Sequence, residues 1–422
     1  MRILWLCNLT PGPVQQALTG QPGSGLWVDH VLSDLIRQPD TSVYILCRGA
    51  RDARGALGEE IAYQVFSEPV MHRYKQDLEV LFSGVLDAFR PDVIHIWGTE
   101  YGHTLAMLRA IVGHGLLDRT AVSIQGLCGI YARHFSEGLP PCAAFGFTPR
   151  DLLRLDNVFF QRRHFTQRGR MEAQALALTR HVIGRTSWDR ACTRALAPSA
   201  QYHFCNETLR SEFYTDSWQY AACARHSIFA SSAASPVKGF HYLLEALPTV
   251  LSAYPDARVL VPGPDLFHPA GKSRLLEQTY HYYLRTFAEK HGLTDRVRFL
   301  GHLSPEEMKR QYLSANVFAL PSTIENSPNS LGEAMLLGVP CVAADVGGVA
   351  DMLEDRREGL VYQSTAPYML AQKILDIFDL AEQAETLGQA ARAHARRTHD
   401  PEGNLNQLLT IYQELCREEA HG

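Results

Sequence analysis

A chain of 422 residues exceeds an ordinary single domain, and two domains of roughly 200 residues each are the natural division. Hydrophobic residues make up 46% and charged residues 20%, enough for two substantial cores, while a net charge of −5 argues against a nucleic-acid binder. Nine cysteines with no Cys-x-x-Cys pair argue for a reducing compartment and against zinc. The opening MRILWLC is too short for a signal-peptide core and no run approaches 18 apolar residues, so a cytoplasmic protein without a spanning segment is expected.

In chain order, a first apolar strand over Arg2–Cys7 is followed by a long connection, Asn8–Gly25, ending Pro-Gly-Ser-Gly, and then by a helical pattern over Leu26–Arg37. Further strands are predicted at Val43–Cys47, Asp92–Trp97, Ala121–Gln125 and His181–Gly184, with a helix at Leu78–Phe89. His103 falls just before another helix, in a position open to an acceptor, and Gln125 stands at a strand end. Six arginines between Arg150 and Arg170, interleaved with leucines and phenylalanines, read first as an exposed helix with an Arg-rich solvent face; the same pattern allows a peripheral contact with an anionic membrane.

The second half repeats the alternation. Strands are predicted at Ile228–Ala230, Arg258–Val261, Val297–Leu300, Val317–Leu320 and Cys341–Ala344, and helices at Phe240–Ala253, Thr279–Lys290 and Pro305–Ser314. Continuous apolar strands separated by helices indicate parallel sheets covered on both faces. The expected architecture is α/β: two doubly wound Rossmann-like domains facing across a cleft, residues 1–205 and 206–390, with a helical segment 391–422 returning to the first. Ligands in such sheets bind beyond the carboxyl ends of the strands.

Chemistry concentrates at those ends. Lys238, only the second lysine of the chain after Lys75, opens a helix behind the small-residue loop SSAASP. Gly263 in VPGPD permits close backbone approach. Ser327 and Pro328 read as cap and first residue of a helix ending at Gly338, which leaves the amides of Asn329, Ser330 and Leu331 free for an anion. Glu325 precedes that helix and Glu333 lies within it, where a carboxylate can hold two hydroxyls. Lysine, helix amides and carboxylates together suit a nucleotide sugar.

From Glu325 to Ala343 the chain reads Glu-x7-Glu followed by Ala-Met-x-x-Gly-x-Pro-x-Val-Ala, with Pro236-Val237-Lys238-Gly239 upstream and VGGVADML downstream. In this combination it resembles glycosyltransferase family 4, the retaining GT-B enzymes, most strongly over residues 220–365. The resemblance implies that Glu333 holds the donor ribose, Lys238 neutralises the diphosphate, residues 329–331 bind it through their backbone, and Glu325 contacts the sugar. It further implies retaining transfer with a nucleotide-sugar donor as co-substrate, no cofactor and no metal; front-face attack by the acceptor is favoured because no unambiguous nucleophile is visible in the sequence. Gly25 corresponds to a glycine of the family's first loop. The family's usual Gly-Arg before the lysine is Ser232-Ala233 here, with Arg185 a candidate replacement or acceptor contact. Gln125 stands where many members carry His; a neutral amide orients a hydroxyl and cannot serve as a base.

The expected catalytic set is therefore Glu325, Lys238, His103 and Gln125, acting on a saccharide or lipid-linked saccharide in bacterial surface-polysaccharide or glycoconjugate assembly. Two other readings stay open: a catalytically weak nucleotide- or glycan-binding partner subunit, which Ala233 and Gln125 favour, and a nucleotide-sugar epimerase on the same architecture. An NAD-dependent oxidoreductase is disfavoured, because no strand is followed by a complete Gly-x-Gly-x-x-Gly.

Overall fold

The first strand, RILWLC, alternates its side chains between two cores. Ile3, Trp5 and Cys7 join one apolar cluster and Leu4 and Leu6 the other, so both faces of the sheet are covered. The structure, a computed structural model, describes residues 1–21, 23, 27–68, 70, 73–268 and 277–417. Gly25, expected in a ligand loop, lies outside the described residues.

The chain divides into two compact units. The first comprises Met1–Ile130, His164–Arg210 and the C-terminal stretch from Thr398. Its eight strands are β1 (Arg2–Cys7), β2 (Ser42–Gly49), β3 (Ala53–Leu57), β4 (Ile61–Ser67), β5 (Val93–Trp97), β6 (Thr120–Ser123), β7 (His181–Gly184) and β8 (Gln201–Phe204). They lie in the order β3-β4-β2-β1-β5-β6-β7-β8. All neighbouring pairs are parallel except β3 with β4.

The second unit comprises Tyr131–Arg163 and Ser211–Arg397, so a stretch from the N-terminal half of the sequence packs with the later residues. Its strands are β9 (Ser227–Ala230), β10 (Arg258–Val261), β11 (Val297–Phe299), β12 (Val317–Leu320), β13 (Cys341–Asp345) and β14 (Leu360–Gln363). All are parallel in the order β11-β10-β9-β12-β13-β14.

Every expected strand is present, with β6 ending at Ser123 rather than Gln125. The strands β3, β4, β8 and β14 went unread. Edge strands β3 and β8 leave much of their surface to solvent, and their polar sequences ARGAL and QYHF carry no apolar run. The connection after β1 is also more ordered than expected: Gly12–Thr19 is helical, and the Gly12 amide donates to Asp29 Oδ1 at 2.8 Å.

The C-terminal helix, Pro401–Arg417, closes the first unit. Leu408, Ile411, Tyr412 and Leu415 fill the same core as Trp5 and Val43. Tyr412 Oη receives the Trp5 indole N–H at 3.0 Å and meets His95 Nδ1 at 2.7 Å, while His95 Nε2 meets Ser123 Oγ at 2.7 Å. A fully buried His95 thus joins the sheet to a helix 317 residues away.

Burial holds His95 down at about 3, from 6.5. At pH above 6.5 it is neutral in both states. As pH falls below 6.5 the unfolded chain gains a proton that the native ring refuses, so stability is lost down toward pH 3. Glu172 works the other way: burial pushes its carboxyl up to about 7, against the pull of the Gly129 amide and the Thr99 hydroxyl. Stability from that group therefore rises as pH falls from about 7 towards 4.5. Comparison with His95→Gln separates the two. Between pH 7.5 and 5 the wild type should lose roughly 2 kcal/mol relative to the variant in urea unfolding; a pH-independent difference would contradict a neutral buried ring.

Candidate functional site

In the second unit the strand order reverses between the neighbours β9 and β12, the kind of place where open α/β sheets bind ligands beyond the carboxyl ends of their strands. Lys238 ends the one-turn helix Pro236–Lys238 after β9, and Glu325 follows β12. Their side chains meet: Lys238 Nζ donates to Glu325 Oε1 at 2.6 Å, and Ser322 Oγ donates to the same oxygen at 2.8 Å. The carboxylate side chain is only 7% exposed, whereas the lysine keeps 36% of its surface open.

Backbone contacts fix this pair. The Thr323 amide donates to Val237 O at 2.8 Å, stitching the β9 loop to the β12 loop. Gly239 has φ +65°, and a Cβ there would stand 1.7 Å from Pro321 O. Gly347, at φ +53° after β13, would place a Cβ 1.8 Å from Glu325 O, and the Gly348 amide donates to that oxygen at 3.1 Å. Only glycine permits approaches this close.

The expected helix runs Asn329–Leu337 and stops at Gly338 in the left-handed conformation. Its cap differs from expectation. Pro328 occupies the N-cap, and the Ser327 hydroxyl points to Met352 Sδ at 3.5 Å. The Leu331 amide bonds Pro328 O at 2.9 Å, so of the three amides expected to stay open it is already taken. Glu333 is buried, at 4% exposure, in the second turn. Gly263 lies in the β10 loop, where its N–H and that of Gly301 exchange bonds with the partner carbonyls at 2.8 and 3.0 Å. Ala233 is buried and brings no cation.

The first unit holds its own reversal, between β1 and β5. A cavity of about 200 Å³ opens there, lined by Asn8, Leu9, Trp97, Glu100, Tyr101 and Gln125 among others. The Asn8 amide donates to Glu100, and Arg168 Nε donates to the Glu100 carbonyl at 2.6 Å while its guanidinium covers the Tyr101 ring at 4.5 Å. Burial pushes the Glu100 carboxyl above its ordinary value, against the pull of its own amide, Arg168, Asn8 and the Gly126 amide. Glu100 went unread in the sequence. Its position three residues past the end of β5 is the signal that would have found it.

The residues expected to meet an acceptor divide. Gln125 lines this cavity, its Nε2 donating to Glu207 Oε1 at 2.6 Å. Arg185 is buried in the same unit, bonding Glu207 Oε1 at 2.6 Å and Gln125 Oε1 at 3.2 Å. Its charge is thereby committed to a carboxylate. His103 has no exposed surface; its ring nitrogens meet Glu68 Oε2 at 2.7 Å and Asn8 Oδ1 at 2.8 Å. It braces Asn8 from behind and turns no nitrogen towards the cavity. Arg150, at the head of the arginine-rich stretch, is held bidentately by Asp156 at 2.9 and 2.8 Å.

Residues 225–394 match the family model described as glycosyl transferases group 1. Among curated relatives, the D-inositol 3-phosphate glycosyltransferase of Corynebacterium urealyticum is 30% identical over 181 residues, covering 42% of this chain and 41% of that protein. Spore coat protein SA of Bacillus subtilis is 27% identical over 181 residues, covering 42% and 46%. This chain thus spans less than half the length of these curated relatives. Among solved structures, Anabaena Alr3699/HepE in complex with UDP-glucose superposes with a TM-score of 0.66 at 18% identity, over 98% of this chain and 99% of that one. Such structural likeness carries the fold, two parallel α/β sheets of GT-B type with the long C-terminal helix on the first.

The close glycine contacts are testable against a control. Gly263 also has a positive φ, of +113°, but a Cβ there meets nothing within 4 Å. Gly239→Ala and Gly347→Ala should each cost at least about 2 kcal/mol more than Gly263→Ala, lowering the melting midpoint by roughly 5 °C further. Equal midpoints would show that the loops yield to the added methyl group.

Proposed function

We propose that this chain, whose second unit is a glycosyl transferases group 1 domain, transfers a sugar from a nucleotide-sugar donor to a saccharide or lipid-linked saccharide, with retention at the anomeric carbon. The observation that carries the reading is the Lys238–Glu325 pair at the strand-order reversal of the second unit. In the proposed complex the donor ribose engages Glu333. The diphosphate lies over the Asn329 and Ser330 amides, where the helix N-terminus favours an anion. Lys238 neutralises the leaving phosphate, and Glu325 holds that lysine in place and faces the sugar.

Breaking the glycosidic bond develops positive charge on the sugar ring and negative charge on the departing phosphate. A fixed cation and two oriented amides stabilise the second of these. Front-face attack by the acceptor needs no enzyme nucleophile. We assign the acceptor to the first unit's cavity, with Glu100 and Gln125 orienting its hydroxyl. The Anabaena structural relative is a complex with UDP-glucose, which makes a UDP-sugar the first donor to test. A cytoplasmic setting, against the inner membrane face for a lipid-linked acceptor, suits this chemistry. Among the described residues no helix is long and apolar enough to cross a membrane.

Lys238→Ala should lower kcat/KM by about 10²–10³, the usual loss when one stabiliser of developing charge is removed. Glu100→Gln should lower turnover while nucleotide binding stays as in the wild type, and NMR of the product should show the donor's anomeric configuration. Wild-type turnover by Lys238→Ala would remove the lysine from the reaction, and binding without any turnover would favour the partner-subunit reading.

A further inference from the structure

The segment 141–160 of the second unit is built inside out. Asp151 and Asn157 are its fully buried residues of highest polarity, while Phe145, Phe147, Leu152, Leu153, Leu155 and Phe159 stand exposed, Leu153 at 81%. The inversion is held in place by specific bonds. Asp151 Oδ2 accepts from the amides of Thr148 and Thr279 at 3.1 and 3.0 Å, fixing the short helix Pro149–Arg154 against the helix Thr279–Lys290. Asn157 donates to Gly146 O at 2.7 Å and accepts from the Phe160 amide at 3.0 Å. That draws the two phenylalanine pairs together: Phe145 and Phe159 rings lie 6.4 Å apart, and Phe147 and Phe160 rings 6.0 Å apart.

A solvent-facing surface helix normally shows the opposite arrangement. Scattered exposed apolar side chains are ordinary, but here six crowd into fifteen residues on a scaffold whose polar groups are turned inward. The charges around them have one sign. Asp151 is spent on Thr148 and Thr279 and Asp156 on Arg150, whereas Arg154 and Arg163 are exposed. The outward face is therefore apolar with a cationic fringe, within a chain of net charge −5.

We infer that the face formed by Phe145, Phe147, Leu152, Leu153, Leu155 and Phe159 docks on an anionic lipid bilayer. The leucines and phenylalanines enter the boundary between headgroups and acyl chains, and Arg154 and Arg163 pair with lipid phosphates. A second copy of this chain docking through the same face would set two cationic fringes, Arg154 and Arg163 of each, against one another, which like-charge repulsion disfavours. The inference deepens the reading of a lipid-linked acceptor and rests on it for its purpose. It also changes the membrane contact expected from the arginine run: Arg150 is neutralised within the protein, and the apolar residues do the anchoring.

The full chain should cosediment with phosphatidylcholine–phosphatidylglycerol vesicles and much less with pure phosphatidylcholine vesicles. The double variant Leu152→Asp/Leu153→Asp, altered only at exposed positions, should bind the anionic vesicles at least about tenfold more weakly. Its thermal stabilisation by UDP should match the wild type. Leu153→Trp should shift its fluorescence to the blue when anionic vesicles are added. Absence of wild-type partitioning, equal partitioning by the double variant, or a wild-type dimer that the variant dissolves without any vesicle binding would each overturn the inference. Vesicle binding by a wild type that no nucleotide stabilises would instead count against the transferase reading and leave the docking face standing.

Discussion

A parallel sheet whose strand order reverses beside its first strand cannot cover that point with a single helix. The chain leaves one strand towards one side and its neighbour towards the other, and a crevice remains at their carboxyl ends. Both units contain such a reversal, at β1/β5 in the first and β9/β12 in the second. The residues with chemical capacity collect at these two reversals: Asn8 and Glu100 in one, Lys238 and Glu325 in the other. Right-handed crossovers and buried strands decide where the sites fall, and side-chain chemistry then decides what each can do.

The electrostatics of the two places differ. Around Lys238 a mostly buried carboxylate is satisfied by a serine and an ammonium group that still reaches solvent. Such a pair adds little net stability, because desolvation offsets attraction. It does hold a cation in a defined position that is still open to solvent. In the first unit, burial raises the carboxyls of Glu100, Glu172 and Glu207, with Arg185 pulling Glu207 the other way. Of the three, Glu100 lines the cavity, whereas Glu172 is held by the Thr99 hydroxyl and the Cys128 and Gly129 amides and Glu207 by Gln125 and Arg185.

Much of this was legible. Strands such as Arg2–Cys7 and Val317–Leu320 announce themselves as unbroken apolar runs because parallel sheets bury both faces. Lys238, Glu325 and Glu333 stood out through their spacing around glycines and a helix start. The edges β3 and β8 did not, since solvent on an edge strand removes the apolar signal. Pairings across the chain were equally invisible. Lys238 and Glu325 are 87 positions apart, and no local pattern distinguishes His103, locked between Glu68 and Asn8, from a histidine facing a ligand. Expecting His103 to face an acceptor followed from the usual chemistry of histidine; the fold buries its ring and sets Glu100 on the cavity wall. Within the arginine run, sequence shows the charges but not which of them is paired: Asp156 holds Arg150, while Arg154 and Arg163 stay exposed.

The central claim, that the second unit's reversal is a nucleotide-sugar donor site, is tested most directly by nucleotide-dependent thermal stability in the wild type and Glu333→Ala. A nucleoside diphosphate present at about 100 times its dissociation constant adds roughly 2.7 kcal/mol to folding stability. The account predicts such a shift with one of UDP, GDP or ADP, lost in the variant. No shift with any of them, or an undiminished shift in Glu333→Ala, would contradict it.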